Sequence, residues 1–161
     1  MSICITGGAG FVGSSLARRY REKYPERRIV TFDNLKRRGA ELNLADFRVQ
    51  NIEFAHGDVR NAGDLEALEG DFDLLVDASA EPSAHAGADG SPDYLIDTNL
   101  GGTLNCLEWA RKRDASLLFL STSRVYSLSA LREMPLREDE TRLSVDSEKR
   151  MPRGLSTVGV D

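Results

Sequence analysis

Cysteine is scarce in this chain, with two among 161 residues: Cys4 on a predicted strand and Cys106 on a predicted helix. Two such thiols form no disulfide framework, and buried free thiols in a reducing compartment, a cytoplasm, are the expectation. Long apolar runs are also missing. No segment approaches the roughly 20 residues of a membrane span, and the first residues enter a strand without a signal-peptide pattern. An excess of positive charge is absent too. The formal net charge is −5, and the basic residues are scattered apart from Lys36-Arg37-Arg38, so no nucleic-acid-binding surface is expected. His56, His85, Cys4 and Cys106 lack the spacing of metal ligands, so no metal is expected. No G-x-S-x-G elbow surrounds Ser121 or Ser123, which argues against a hydrolase using either with His85.

The composition, 40% hydrophobic and 29% charged, is that of a soluble globular chain long enough for one domain with a real core. Its organising stretch runs from Ile3 to Gly13. A short apolar strand, Ile3-Cys4-Ile5, passes through Thr6 into a glycine turn and then a helix running to about Tyr24, where Pro25 stops it. Gly7, Gly10 and Gly13 have the spacing G-x-x-G-x-x-G. In a dinucleotide site the first makes the tight turn, the second admits a pyrophosphate close to the backbone, and the third allows close packing of helix on sheet. The helix start offers free N–H groups and a positive dipole end to phosphate. A second strand, Arg28 to Asp33, ends in an acid 20 residues beyond Gly13. That is where such a fold puts a carboxylate for the adenosine ribose hydroxyls. A turn aspartate in Asp-Asn-Leu is the plainer alternative. An acid there favours NAD, while Lys36, Arg37 and Arg38 on the following loop keep the 2′-phosphate of NADP open. NAD is the choice, because Asp33 is placed by a strand end.

Further along, Ile52 to Ala55 is a third strand, followed by His56-Gly57-Asp58-Val59-Arg60. Asp64 to Leu68 form a helix ended by Gly70. Phe72 to Asp77 form an apolar fourth strand opening into the small residues Ala78-Ser79-Ala80. Tyr94 to Lys112 form a long helix containing Asn99, Gly101 and Gly102, and close packing is expected to offset its two glycines. Ser116 to Leu120 form a fifth strand. Five strand–helix alternations predict an α/β fold, a Rossmann-type doubly wound parallel sheet over residues 1–131. Residues 132–161, charged and without periodicity, predict a loop-like, poorly ordered tail.

Together these residues resemble the N-terminal half of the extended short-chain dehydrogenase/reductases, the NAD-dependent nucleotide-sugar epimerases and dehydratases. Thr6 to Gly13 is similar to their opening motif, Phe32-Asp33-Asn34-Leu35 to their second-strand end, and Asn99 to Glu108 to their N-x-x-G-T-x-N-x-L-E helix. Asp33-Asn34-Leu35 with Gly39-Ala40, and Glu140-Thr141-Arg142, lean towards the CDP-tyvelose (CDP-paratose 2-) epimerase branch. The resemblance implies a cofactor set of Gly7, Gly10, Phe11, Val12, Gly13, Asp33, Asn34, Asp58, Val59, Ala78, Ser79, Ala80 and Asn99, with Asp58 meeting the adenine amino group. It implies that Thr122 supplies the catalytic hydroxyl and that Glu81 and Ser123 contact the substrate; a strand-end cap is the plainer role for Thr122. It also implies a nucleotide-sugar substrate, a homodimer for a full-length member, and a Tyr-x-x-x-Lys pair that lowers the tyrosine's pKa. That pair is missing: Ala130 stands four residues after Tyr126, and Val145 four before Lys149. The expectation is therefore an enzyme cut before its substrate domain and inactive alone, with a non-catalytic NAD-binding module as the alternative.

Overall fold

Strand β1, Ser2–Thr6, is buried along its whole length, because its two faces serve two different cores. Ile3 and Ile5 pack with Ala17, Ile29, Phe47 and Val76 on one side of the sheet. Cys4 packs with Val30, Phe32, Leu75, Cys106 and Trp109 on the other. An apolar run with no polar alternation is what a parallel strand covered on both faces requires. The computed structural model describes residues 2–83, 85–88, 90–122 and 128–160.

Five parallel strands form the sheet in the order β3-β2-β1-β4-β5. The others are β2 (Arg28–Asp33), β3 (Glu53–His56), β4 (Leu74–Asp77) and β5 (Ser116–Phe119). The helices are α1 (Phe11–Lys23), α2 (Asn43–Val49), α3 (Ala62–Glu66), α4 (Asp93–Ile96) and α5 (Gly102–Lys112). The chain therefore has the expected Rossmann-type doubly wound sheet. From β1 it winds first towards β2 and β3, then returns to β4 on the opposite side. That reversal opens a crevice at the carboxyl ends of β1 and β4.

The long helix expected over 94–112 is interrupted. Asp97–Gly101 forms a π-helical turn between α4 and α5, a local irregularity common at functional sites. Its two glycines differ. A Cβ on Gly102 would stand 2.6 Å from the Val59 side chain, whereas one on Gly101 would meet open space. Close packing thus accounts for Gly102 alone, and its neighbour is the loop after β3 rather than the sheet. Cys4 and Cys106 are buried free thiols. Burial pushes the Cys4 thiol up to about 12 and Cys106 up as well, leaving both inert.

The chain divides into two compact units, Met1–Leu120 and Ser121–Asp161. In the second, α6 (Leu128–Arg132) precedes two antiparallel pairs. Strand β6 (Leu136–Glu138) pairs with β7 (Leu143–Val145), and β8 (Leu155–Ser156) with β9 (Gly159–Val160). Strands of two or three residues are too short to leave a periodic trace in the sequence.

Candidate functional site

The glycine turn is shaped by backbone contacts that only glycine permits. Gly7 has φ +60°, and a Cβ there would lie 2.6 Å from the Ala78 carbonyl. A Cβ on Gly13 would stand 2.2 Å from the Gly7 carbonyl, so α1 approaches the turn itself more closely than the sheet. Helix α1 then begins without a side-chain cap and without an acid in its first turn. Its first intrahelical bond runs from Ser14 N–H to Gly10 O at 2.9 Å, so the amides of Phe11, Val12 and Gly13 lie ahead of the ladder. An uncapped amide-bearing helix start is an anion seat.

In front of this turn is a cleft of about 270 Å³. It collects the ends of four strands: Gly7 and Gly10 after β1, Asp33 and Asn34 at β2, Asp58 and Val59 after β3, and Ala78, Ser79, Ala80 and Glu81 after β4. Ten of the residues singled out from sequence therefore share one cavity. The Asp33 carboxylate is held there from two sides. Its Oδ2 accepts from Ala9 N–H at 3.1 Å and its Oδ1 from Leu35 N–H at 2.8 Å. The second bond is the turn role anticipated as the plainer alternative, and it supports Leu35 at φ +54°. Asp33 thus fastens two loops while still facing the cleft.

Asp58 is more heavily engaged. Asn34 Nδ2 and Arg60 Nη2 donate to its Oδ2, and Arg60 N–H and Nε donate to its Oδ1. Four donors match the four lone-pair sites of a carboxylate. The Arg60 bonds, followed by Asn34, hold its pKa well below the ordinary range against the opposing effect of burial.

Several anticipated residues lie outside the cavity lining. The Phe11 side chain is 89% exposed and Val12 is exposed, which leaves their amides as the useful groups. Asn99 clasps the Glu81 main chain, accepting from its N–H at 2.8 Å and donating to its carbonyl at 3.1 Å. Asn99 therefore fixes the loop after β4 rather than facing the cleft. Thr122 is exposed and belongs to the second unit. Ser123 lies outside the described residues.

The structure also brings in Tyr94 and Thr98, which the sequence did not mark, and places Lys36 and Arg37 of the basic loop in the lining. Tyr94 lines the cleft with cations at its ring, Lys36 Nζ 2.9 Å and Arg60 Cζ 4.7 Å from the centroid. Arg37 reaches Glu81 Oε1 at 3.8 Å. Thr98, from the π-helical turn, lines the cleft and is 7% exposed, yet its Oγ1 has no hydrogen-bond partner. A buried hydroxyl left unsatisfied beside a cavity keeps hydrogen-bonding capacity that a water, an ion or a ligand atom can take up. Among the described residues there is no group of three His, Cys, Asp or Glu able to hold a metal ion, and no helix long and apolar enough to cross a membrane.

A family model described as the NAD dependent epimerase/dehydratase family matches residues 3–149. The chain belongs to that family. It is 35% identical over 147 residues to CDP-paratose 2-epimerase of Salmonella typhi, covering 88% of this chain and 42% of that protein. It is 30% identical over 126 residues to a dTDP-glucose 4,6-dehydratase of Mycobacterium tuberculosis, covering 78% and 38%. Among solved structures, a dTDP-glucose 4,6-dehydratase from Bacillus anthracis in complex with NAD superposes with a TM-score of 0.70 at 30% identity. That match covers 91% of this chain and 45% of the other. The chain spans about two-fifths of the length of the curated relatives it matches.

NAD is the cofactor of this family, and the residues present fit it. The space before Gly10 is free of side chains, since a Cβ there would meet only the Gly7 carbonyl, at 3.1 Å. The uncapped start of α1, the carboxylate of Asp33 and the hydroxyl of Thr98 supply groups of the kind a dinucleotide's phosphates and riboses require.

Proposed function

We propose that this chain holds NAD for a nucleotide-sugar epimerase or dehydratase, as its cofactor-binding half. One observation carries the reading: Gly10, at the uncapped start of α1, and Asp33 line the same cleft, at the reversal of the strand order. Bound NAD supplies the hydride exchange on which this family's chemistry depends. The chain's own residues do the rest of the binding work. The amides of Phe11, Val12 and Gly13 face the pyrophosphate, Asp33 accepts from the adenosine ribose, and Asn34 and Asp58 border the adenine. Ala78, Ser79 and Ala80 keep the floor free of bulk, and Asn99 fixes the loop that carries Glu81. Thr122 is assigned the hydroxyl that orients the sugar oxygen, with Glu81 and Ser123 as substrate contacts. A cytoplasmic homodimer acting on a nucleotide-sugar belongs to the same proposal for a full-length member of the family.

Calorimetry on the 161-residue chain tests the cofactor assignment. NAD binds more tightly than NADP, and Asp33→Ala weakens NAD by about tenfold or more. A preference for NADP would transfer the selecting role from Asp33 to Arg37 or Arg38. A second reading, a non-catalytic NAD-binding module, rests on the lack of any Tyr-x-x-x-Lys in these 161 residues. Both readings expect no turnover by this chain alone. Keto-sugar formed from any nucleotide-sugar by the purified chain would contradict both.

A further inference from the structure

The glycine turn must be held in one conformation to present its amides, yet Gly7, Gly8 and Gly10 restrict its backbone little. Ala9 is the non-glycine residue among them, and both sides of it are tied. Its N–H donates to Asp33 Oδ2 at 3.1 Å. Its carbonyl accepts from Asn43 Nδ2 at 2.9 Å. Asn43 opens helix α2 and does not line the cleft. Its amide is itself fixed, since Arg18 Nη2 donates to Asn43 Oδ1 at 2.7 Å. Arg18 lies across the buried Phe47 ring, pairs with Asp46, and reaches Ser14 Oγ at 3.3 Å. Ser14 N–H in turn bonds Gly10 O. The bonds form a closed circuit: Ala9 to Asn43, to Arg18, to Ser14 and back to Gly10.

We propose that Asn43 is a positioning residue for the cofactor, orienting the glycine turn through the Ala9 carbonyl with Arg18 as its support. The role rests on reading the cleft as the NAD site. Asn43 touches no cofactor atom. It acts by holding the peptide that the cofactor's phosphates would approach, so that binding does not have to order it. A one-atom change separates this role from simple stabilisation. Asn43→Asp keeps an oxygen for Arg18 and adds an acid at the start of α2, which favours the helix, but it cannot donate to Ala9.

The test measures NAD affinity by calorimetry and thermal stability by circular dichroism on the same 161-residue protein. Asn43→Asp lowers NAD affinity by about tenfold while its melting temperature holds or rises. Asn43→Ala loses a similar factor. Arg18→Met loses less, and the double variant Arg18→Met/Asn43→Ala binds no worse than Asn43→Ala alone, because both changes break one circuit. Wild-type affinity in Asn43→Asp and Asn43→Ala would overturn the proposal while leaving the NAD site intact. So would an affinity loss in Asn43→Asp accompanied by a matching fall in stability, or additive losses in the double variant. A wild-type protein that binds no NAD would overturn the cleft reading first, and this proposal with it.

Discussion

The two walls of the cleft are built in opposite ways. The wall after β2 and β3 carries its acids already engaged: Asp33 holds two backbone amides, and Asp58 is surrounded by four donors from Asn34 and Arg60. The wall after β4 and through the π-helical turn carries the small residues Ala78, Ser79 and Ala80, with Glu81 and Tyr94, and a buried hydroxyl, Thr98 Oγ1, that has no partner. The first wall has its carboxylates satisfied before any ligand arrives, whereas the second, though tied at Glu81 by Asn99 and at Ser79 by Asp77, keeps one hydroxyl without a partner. Preorganised acids contribute selectivity at little ordering cost, whereas an unsatisfied hydroxyl costs stability until a ligand meets it.

The largest effect comes from the element both walls share. Gly13→Ala drives a methyl into the Gly7 carbonyl, where neither partner is a flexible side chain. NAD binding is lost, and denaturant unfolding shows a loss of about 1–3 kcal/mol. Normal affinity in that variant would mean that α1 and the turn have more room than the structure gives them.

Thr98→Val sharpens the contrast between the walls, because its two effects have opposite signs. Removing an unpartnered buried hydroxyl raises the stability of the free protein by up to about 1 kcal/mol, while NAD affinity falls roughly fivefold to tenfold. A fall in stability without a change in affinity would mean that the hydroxyl has a structural partner.

The smallest effect belongs to Asp58. Its pKa is lowered in the folded chain, so between the folded and unfolded values the unfolded state binds more protons. The stability Asp58 contributes is present above the ordinary aspartate pKa of about 3.9 and fades as pH falls below it. Acid denaturation of Asp58→Asn is therefore shallower across that window than that of wild type. Identical profiles would mean that Arg60 does not hold the carboxylate in solution.

The contrast also explains what was legible in the sequence. Glycine spacing and the acid at the end of β2 announce themselves because backbone geometry demands those residue types at those distances. The parallel sheet followed from the regular alternation of strands and helices. Thr98 left no such trace, since a threonine before Asn99 looks like any helical threonine until the π-helical turn puts it, buried, in the lining of the cleft. Tyr94 was hidden for the same reason: the cations at its ring come from loops 34 and 58 residues away in sequence. Asp33 stands at the end of β2, where its spacing from Gly13 put it, but its hold on Ala9 depends on a tertiary contact that no spacing predicts. The short pairs in the second unit were invisible because three residues make no period.

The central claim is that one cleft at the strand reversal holds NAD, with both walls taking part. Titrating NAD into isotopically labelled protein and following backbone amide resonances tests it directly. The account predicts shifts concentrated at Gly10 to Gly13, Asp58 and Val59, and Ala78 to Ala80, with Thr98 moving in step. Saturable binding that leaves those amides unmoved and shifts others instead, such as those of Leu136–Glu138 and Leu143–Val145, would contradict it.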